Sequence, residues 1–513
     1  MPREGVLVHR IYERLNRNQM ERIHGASMEI LRHPGIICYN REAADIFSGY
    51  GAEVTADPSA RCWQVCIPEA LVLRALETTP KVVKLGARRE ENSLILDGSE
   101  PRVYFASGSE TNVWLDMRVE TFVSKADHGV EVELATFHPR RGMLADLCTA
   151  ARLGEHLDNL DGFIRPVNIQ DEDITEENKD VNKFFACLNN MTKHVMAGLT
   201  SLNRLDEVIR MAEIIAGGEE ELRRNPIISF ITCVFKSPLQ LVNDTTQKCI
   251  EIVRRGMPLV ISASPQGGST APIKEDGMVA QINAEILCGI ALSQLINPGA
   301  PVIYGSVPTR AGLDDLADSY GVPEFNHYNV DCVQMARFYG LPCYSTAGVA
   351  DVKVPGIQAT VEKLFSHIVI ALSGAQYIHY AFGLLDKTAT FCPVQAVLDD
   401  AHIGWVKSLL RAPKVDESEV STSLEQIRQV MATSQKLFVR YIRPKLRSGE
   451  VTLPYAFEGD KTRDEVFIRA HERMQELLQR PVEHIPPEIS ERIFREVPGI
   501  LPRLNIYREG WCD

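Results

Sequence analysis

From about residue 100 the chain alternates short apolar strands with long amphipathic helices, and it does so eight times. The strands read as VYFAS (103–107), GFIRPVN (162–168), HVMAGLT (194–200), IISFITCV (227–234), PLVISAS (258–264), PVIYGS (301–306), PCYSTAG (342–348) and QYIHYAF (376–382). Helical spacing runs between them over 144–160, 205–218, 244–256, 276–296, 330–340 and 358–374. A parallel partner is reached only through a long crossover, so this alternation implies a parallel sheet. Eight such units close most naturally into a (β/α)8 barrel of the α/β class. An open doubly wound sheet is the competing topology. Against it, no GxGxxG follows the first strand, and the strands run at even spacing without a break.

The flanks differ. Residues 10–33 place Ile11, Leu15, Met20, Ile23, Met28 and Leu31 at helical spacing, and IPEALVLRALETTP (67–80) repeats the pattern. VKLGARREENSLILDGSEPRVYFAS and TNVWLDMRVETFV turn extended, with turn residues that suggest hairpins. After residue 400, GWVKSLLRAP, SLEQIRQVMATSQKLFVRYI and RDEVFIRAHERMQELLQR are helical again. The expected organisation is a helical and hairpin N-terminal cap over 1–100, a barrel over 101–400, and a helical C-terminal extension over 401–513 packed on the barrel.

Charge and composition exclude whole classes of partner. A formal net charge of -13 argues against nucleic acid, which is bound by clustered Lys and Arg that displace counterions. The first thirty residues lack the charged start and apolar core of a signal peptide, and no apolar run reaches the ~18 residues that span a membrane. The twelve cysteines are scattered, and Cys62 and Cys66 lack a second pair at zinc-binding spacing. A reduced cytoplasm is the expected location. No HExxH, GxSxG or GxxxxGK[ST] is present, so no metal centre, nucleophile elbow or phosphate loop is expected.

In a barrel of this kind chemistry sits where the strands run out into loops. Those ends carry Pro166 and Asn168, Thr200, Cys233 and Lys236, the run SPQGGST (264–270), Tyr304 to Arg310, Gly348 and Asp351, and His379 to Phe382. QGGST suits either a tight turn or an anion cradle. The aromatics Phe163, Phe230, Phe235, Tyr304, Tyr344, Tyr377, Tyr380 and Phe382 fit either a core or a pocket whose ring faces attract a cation. Alternation along a strand turns only about half of them inward. His379 stands at a strand end, as a structural histidine or as a hydrogen-bonding group in the site. Arg310 and Lys353 could pair with a carboxylate, and Lys236 and Lys353 are the candidate Schiff-base lysines.

Several stretches carry a resemblance. SPLQL (237–241), the run from GGSTAPI to AQINAEILCGIALSQLINPGAPVIYGS (267–306), YGVPEF (320–325) with QMARFYGLPC (334–343), and GAQYIH (374–379) resemble the trimethylamine methyltransferase family of corrinoid-dependent methyltransferases, over residues 10 to 480. The resemblance implies a (β/α)8 barrel that moves a methyl group from an amine to the cobalt of a separate corrinoid protein. One branch of that family uses pyrrolysine. All 513 letters here are standard, which places this chain in the other branch. A quaternary amine already carries a positive nitrogen and leaves as a neutral amine, so it needs no activating residue. Glycine betaine is the first expected substrate, followed by proline betaine, carnitine and γ-butyrobetaine.

On the same resemblance His379 is the catalytic residue. Phe163, Tyr304, Arg310, Tyr344, Tyr380 and Phe382 bind substrate, and Gly267, Gly268, Ser269, Gly305, Ser306, Gly348 and Asp351 face the corrinoid. Cobalamin is not expected to be held permanently. The DxHxxG pattern of cobalamin carriers is missing, and Asp400-Ala401-His402-Ile403-Gly404 has the wrong spacing. Partners are therefore a cognate corrinoid protein, a small quaternary amine and a further copy of the chain. After His379 the chain departs from the family pattern with YAFGLLDK (380–387), and KEDG (274–277) is more polar than the pattern there. Two alternatives remain open: a Schiff-base barrel lyase using Lys236 or Lys353, and a betaine-binding protein without turnover.

Overall fold

A computed structural model describes residues 1–108, 110–124, 130–413, 415–448, 455–457 and 464–507. Eight short strands carry the architecture: β1 (Arg102–Phe105), β2 (Gly162–Ile164), β3 (His194–Ala197), β4 (Ile228–Cys233), β5 (Leu259–Ala263), β6 (Val302–Ser306), β7 (Cys343–Thr346) and β8 (Tyr377–His379). Seven fall inside the segments expected from the sequence, and β1 begins one residue before its segment, at Arg102. They pair in parallel in the order β2-β3-β4-β5-β6-β7-β8-β1. A further parallel bridge joins Ala106, just past β1, to Gly162 of β2. The sheet is thus strongly curled and barrel-like. A ninth strand, Val6–Leu7, pairs antiparallel with the start of β1.

Helices follow the strands: α1 (Leu144–His156), α2 (Lys179–Asn190), α3 (Leu205–Ala216), α4 (Asn243–Arg254), α5 (Glu275–Ile296), α6 (Pro323–Phe338), α7 (Ile357–Leu372) and α8 (Pro393–Leu410). Helix α6 begins about two turns before the expected start, because Pro323 occupies its first turn, where the missing N–H costs nothing. Helix α2 was not visible in the sequence. Eleven of its twelve residues are buried, yet its interior positions include Asp180, Asn182 and Asn189. These bond to distant backbone: Asp180 accepts from the Thr200 and Ser201 N–H groups, and Asn182 spans Gly499 O and Leu501 N. Polar groups satisfied in this way break the apolar periodicity that announces a helix.

Between β1 and α1 lies a hairpin of two twelve-residue strands, Val113–Ser124 and Val130–Arg141. Near the N-terminus, Ile36–Cys38 pairs with Cys62–Cys66 on one side and with Gln240–Leu241, from the loop after β4, on the other. Helix α5 is long and apolar enough to cross a membrane by length and composition, but 94% of that apolar window is buried within the fold. It is the central helix, and its apolar character is that of a core element. All described cysteines are free thiols.

His194, at the start of β3, is fully buried between Ser229 Oγ at 2.7 Å and Gly86 O at 2.6 Å. Burial pushes its imidazole down to about 4. The unfolded chain therefore takes up a proton below pH 6.5 that the folded chain refuses, so this residue lowers stability as pH falls. In a His194→Asn variant, the pH dependence of the urea midpoint between pH 6.5 and 4 is expected to be shallower by one proton. An unchanged slope would show that His194 is not held neutral.

Candidate active site at the strand ends

Alternation along the strands divides the side chains into two sets. Ile164, Met196, Val260, Ile303, Tyr344 and Tyr377 pack with one another in a cluster enclosed by the curled sheet. Phe163, Tyr304 and Phe382 belong instead to the layer between sheet and helices. The enclosed cluster ends in a group of three rings. Tyr344 of β7 and His379 of β8 stack 4.0 Å apart at 20°, and Tyr380 lies 3.8 Å from His379, tilted at 58° to it. Tyr377 stands 6.0 Å from Tyr344.

His379 is anchored from the neighbouring strand. Thr346 Oγ1 lies 2.6 Å from His379 Nε2 and donates its own proton to Ser306 O at 3.2 Å. That commits Nε2 to the role of donor and leaves Nδ1 a bare lone pair. Nδ1 is buried with no hydrogen-bond partner among the described residues, as is the Tyr377 hydroxyl. Burial holds the imidazole well below its ordinary range, so it is neutral at physiological pH. The group is therefore electron-rich and uncharged.

Two further features border it. Gly305 pairs in register with Tyr344 on one side and Ser262 on the other, and a Cβ there would meet Val260 Cγ1 at 2.6 Å and Ile261 O at 2.8 Å. Only glycine fits. Cys233, at the end of β4, is exposed, although protein packs around its sulfur. Its sulfur lies 3.3 Å from Ser262 Oγ, and burial pushes the thiol up, so no thiolate is available there.

Just past β2, Arg165 follows the enclosed Ile164 and donates to Glu110 at 2.5 Å. Burial pushes the Glu110 carboxyl up, but Arg165, Lys183 and Lys179 outweigh this and hold it below its ordinary value. Arg165 Nε is buried without a hydrogen-bond partner among the described residues.

The structure thus brings together His379, Tyr344, Tyr380, Gly305 and Ser306. It does not bring Phe163, Tyr304, Phe382 or Arg310 to them. Phe163 packs beside Gly154 of α1, Arg310 pairs with Glu324 of α6 at 3.6 Å, and the Tyr304 hydroxyl donates to Asn283 of α5 at 3.0 Å. Tyr304→Phe is expected to cost about 1–3 kcal/mol of stability, by stranding the buried Asn283 oxygen, and to leave substrate affinity unchanged. A raised KM with unchanged stability would return Tyr304 to the site.

Gly267 lies in a small sheet with Arg310, and a Cβ there would meet the Tyr328 hydroxyl; Gly268 and Ser269 follow it as exposed loop. Asp351 accepts the backbone N–H groups of Tyr320 and Gly321, tying two loops together. Gly348 is buried behind Tyr380. Thr346 and the Glu110–Arg165 pair were not singled out from the sequence. Thr346 sits two residues from Tyr344 and shares its face, a signal that strand alternation carries. Glu110 and Arg165 are 55 residues apart, and nothing local joins them.

The Schiff-base alternative loses its residues, since Lys236 and Lys353 are both exposed. The buried lysines among the described residues are engaged: Lys183 with Asp180 at 2.6 Å, Lys193 with Gly154 O and Leu157 O, Lys248 with Asp244 at 2.7 Å, Lys363 with Asp399 at 3.1 Å and Lys407 with Asp161 at 2.8 Å. Asp400 and His402 lie within α8, bonded to Asn159 and Tyr455. A cavity of 870 Å³ opens at the opposite end of the sheet, beside Pro258 and Pro301, but its arginines are already paired, Arg255 with Asp206 at 2.5 Å and Arg223 with Glu219 at 2.8 Å.

Comparison with known proteins decides the family. Residues 6–440 match the family model described as trimethylamine methyltransferase (MTTB). The chain belongs to this family. It is 30% identical to the trimethylamine methyltransferase MttB of Methanosarcina barkeri over 506 residues, covering 95% of this chain and 94% of that protein. It is also 30% identical to the trimethylamine methyltransferase MttB of Desulfitobacterium hafniense (strain DSM 10664 / DCB-2), over 78% of this chain and 76% of that one. A glycine betaine methyltransferase from Desulfitobacterium hafniense (strain Y51) is 24% identical over 96% of both chains. This family member is a methyltransferase, and two of the stretches that carried the resemblance interlock in the fold: Glu285 of α5 accepts from Ser237 Oγ at 2.7 Å and Leu239 N at 2.9 Å.

Proposed function

We propose that the chain is a (β/α)8 barrel enzyme that transfers a methyl group from a quaternary amine, glycine betaine or a related betaine, to the Co(I) corrinoid of a partner protein. The observation that carries this reading is the neutral ring group Tyr344–His379–Tyr380 at the strand ends of a methyltransferase-family chain. The parallel bridge from Ala106 to Gly162 supports the closed barrel. A tertiary amine must first gain charge to leave, and a quaternary one is already charged. The glycine betaine relative supports this substrate class.

Each residue then has a task. The ring faces hold the ammonium, at about 0.5–2 kcal/mol per well-placed ring. His379, held by Thr346, keeps Tyr344 and Tyr380 apart at a fixed spacing. Arg165 takes the substrate carboxylate in exchange for Glu110. In the transfer the N–CH3 bond breaks with its electron pair passing to nitrogen, and the cobalt pair forms the new bond to carbon. No proton moves, which suits a site whose imidazole is neutral and whose thiol is not ionised. The corrinoid is a substrate carried by the partner, not a resident cofactor, and it approaches over the strand ends. The expected setting is the cytoplasm.

Calorimetry with glycine betaine and its tert-butyl isostere, in which carbon replaces N⁺, tests the binding mode. The ammonium is expected to bind roughly tenfold or more tightly, which is about 1.4 kcal/mol. Equal affinity would remove the ring group from the account.

A further inference from the structure

Two charges lie buried where the transfer chemistry has no use for them. Lys363 of α7 and Asp399 of α8 are both closed to solvent, and they pair at 3.1 Å. The three N–H groups of the ammonium meet three acceptors. Besides Asp399 these are Gly348 O, in the loop after β7, and Leu384 O at 3.1 Å, in the loop after β8. Asp399 in turn accepts the Gly383 N–H at 2.7 Å and the Gln395 side-chain amide at 2.9 Å. Two neighbours on α7 act on the same loops: Ser366 Oγ accepts the Gly348 N–H at 3.0 Å, and His367 Nε2 donates to Ala381 O at 3.1 Å.

These contacts converge on one turn. Ala381, Gly383 and Leu384 follow Tyr380 closely, and Gly348 packs against it, since a Cβ there would meet Ala381 Cα at 2.8 Å and Tyr380 O at 3.0 Å. From the other side, Ser107 O and Ala106 O accept the N–H groups of Tyr380 at 3.3 Å and Ala381 at 3.0 Å. The turn is thus gripped between the end of β1 and the buried pair. It requires such a grip: Tyr380 at φ 68° and Gly383 at φ 73° are both left-handed, and a tyrosine keeps that conformation only where its surroundings over-determine it. Stability alone does not account for the pair. Burial pushes the Lys363 ammonium down, with Asp399 opposing it, and apolar side chains of similar volume often fill such a space at equal or lower cost. What apolar side chains lack is the means to hold two carbonyls and an N–H at fixed points.

We propose that the Lys363–Asp399 pair is a positioning element: it fixes the turn after Tyr380 and so aims the Tyr380 ring, without touching substrate. Its consequence for transfer rests on the role proposed above for that ring. The deciding variant is Lys363→Met/Asp399→Asn, which removes both charges together; it should resist urea better than Asp399→Asn alone, which leaves a buried ammonium without its counter-ion. In protein labelled with 3-fluorotyrosine, the Tyr380 resonance is assigned by its loss in Tyr380→Phe. In the double variant that resonance should shift or broaden, while that of Tyr304, packed between sheet and helices, stays in place. Gln395→Ala, which frees one Asp399 oxygen, is the milder change and should move the Tyr380 resonance in the same direction. For glycine betaine, kcat/KM should fall about fivefold or more in the double variant. In a Tyr380→Ala background the same double substitution should change it by less than about twofold, because its effect passes through the missing ring. A Tyr380 resonance unmoved in the double variant, or in Gln395→Ala if the double variant does not fold, would overturn the proposal, as would an equal loss of kcat/KM in both backgrounds. If the wild-type chain transfers from no quaternary amine, the reading of the site fails, and the Tyr380 resonance alone decides whether the pair aims the ring.

Discussion

Tyr380→Ala is expected to lower kcat/KM for methyl transfer by about tenfold or more, with little loss of stability. Tyr380 is the half-exposed member of the ring group, leaning over Gly108, whose added Cβ would meet its ring at 3.2 Å. Its backbone sits at φ 68°, a left-handed conformation that costs a non-glycine residue about 1–3 kcal/mol and that recurs where function requires a side chain to be aimed. Alanine keeps that strain and loses the ring. Removing one cation-facing ring forfeits ~0.5–2 kcal/mol of binding, and looser positioning of the methyl group adds to it. Tyr380→Phe should remain within about threefold of wild type, because the ring face is retained. Tyr380→Gly relieves the strain, so it should be more stable than Tyr380→Ala and equally poor in transfer. An alanine variant with wild-type kinetics would make Tyr380 a structural residue.

Gly348→Ala is expected to act on stability rather than on chemistry, and strongly. The position has φ +89°, and a Cβ would fall 2.2 Å from His367 Nε2, 2.8 Å from Ala381 Cα and 3.0 Å from Tyr380 O. Two of these are backbone atoms of the loop that carries Tyr380, so the loop itself would have to move. A cost of ~3 kcal/mol or more follows from overpacking added to an unfavourable φ. Adding His367→Ala should recover part of the loss and not all of it, since the backbone contacts remain. The resemblance placed Gly348 facing a corrinoid. A Gly348→Ala chain that is as stable as wild type yet fails in transfer would support that placement over a packing role.

The strands and most helices were legible because short apolar runs separated by amphipathic ones leave one economical arrangement. What the letters withheld was which face each side chain takes. Strands covered on both sides are apolar at every position, so Val302-Ile303-Tyr304-Gly305-Ser306 reads the same in either phase. The phase is set by Gly305, which has room for no side chain on the enclosed face, and it turns Tyr304 outward to Asn283. His379 and Tyr344 were found because they stand at strand ends and are aromatic. Thr346 was passed over because a threonine in a strand is ordinary, although its hydroxyl fixes the tautomer of His379. Helix α2 and the Glu110–Arg165 pair depend on contacts made across long stretches of chain, which no local pattern encodes.

The most direct measurement is a single-turnover reaction with free cob(I)alamin and betaine carrying a ¹³C-labelled N-methyl group, followed by NMR. The account predicts that methylcobalamin and the singly demethylated amine appear in equal amounts with the wild-type chain, and far more slowly with Tyr380→Ala. Tertiary amines are predicted to give no Co–CH3 signal. Transfer from trimethylamine, or none from any quaternary amine across a panel of betaines, choline and carnitine, would contradict it.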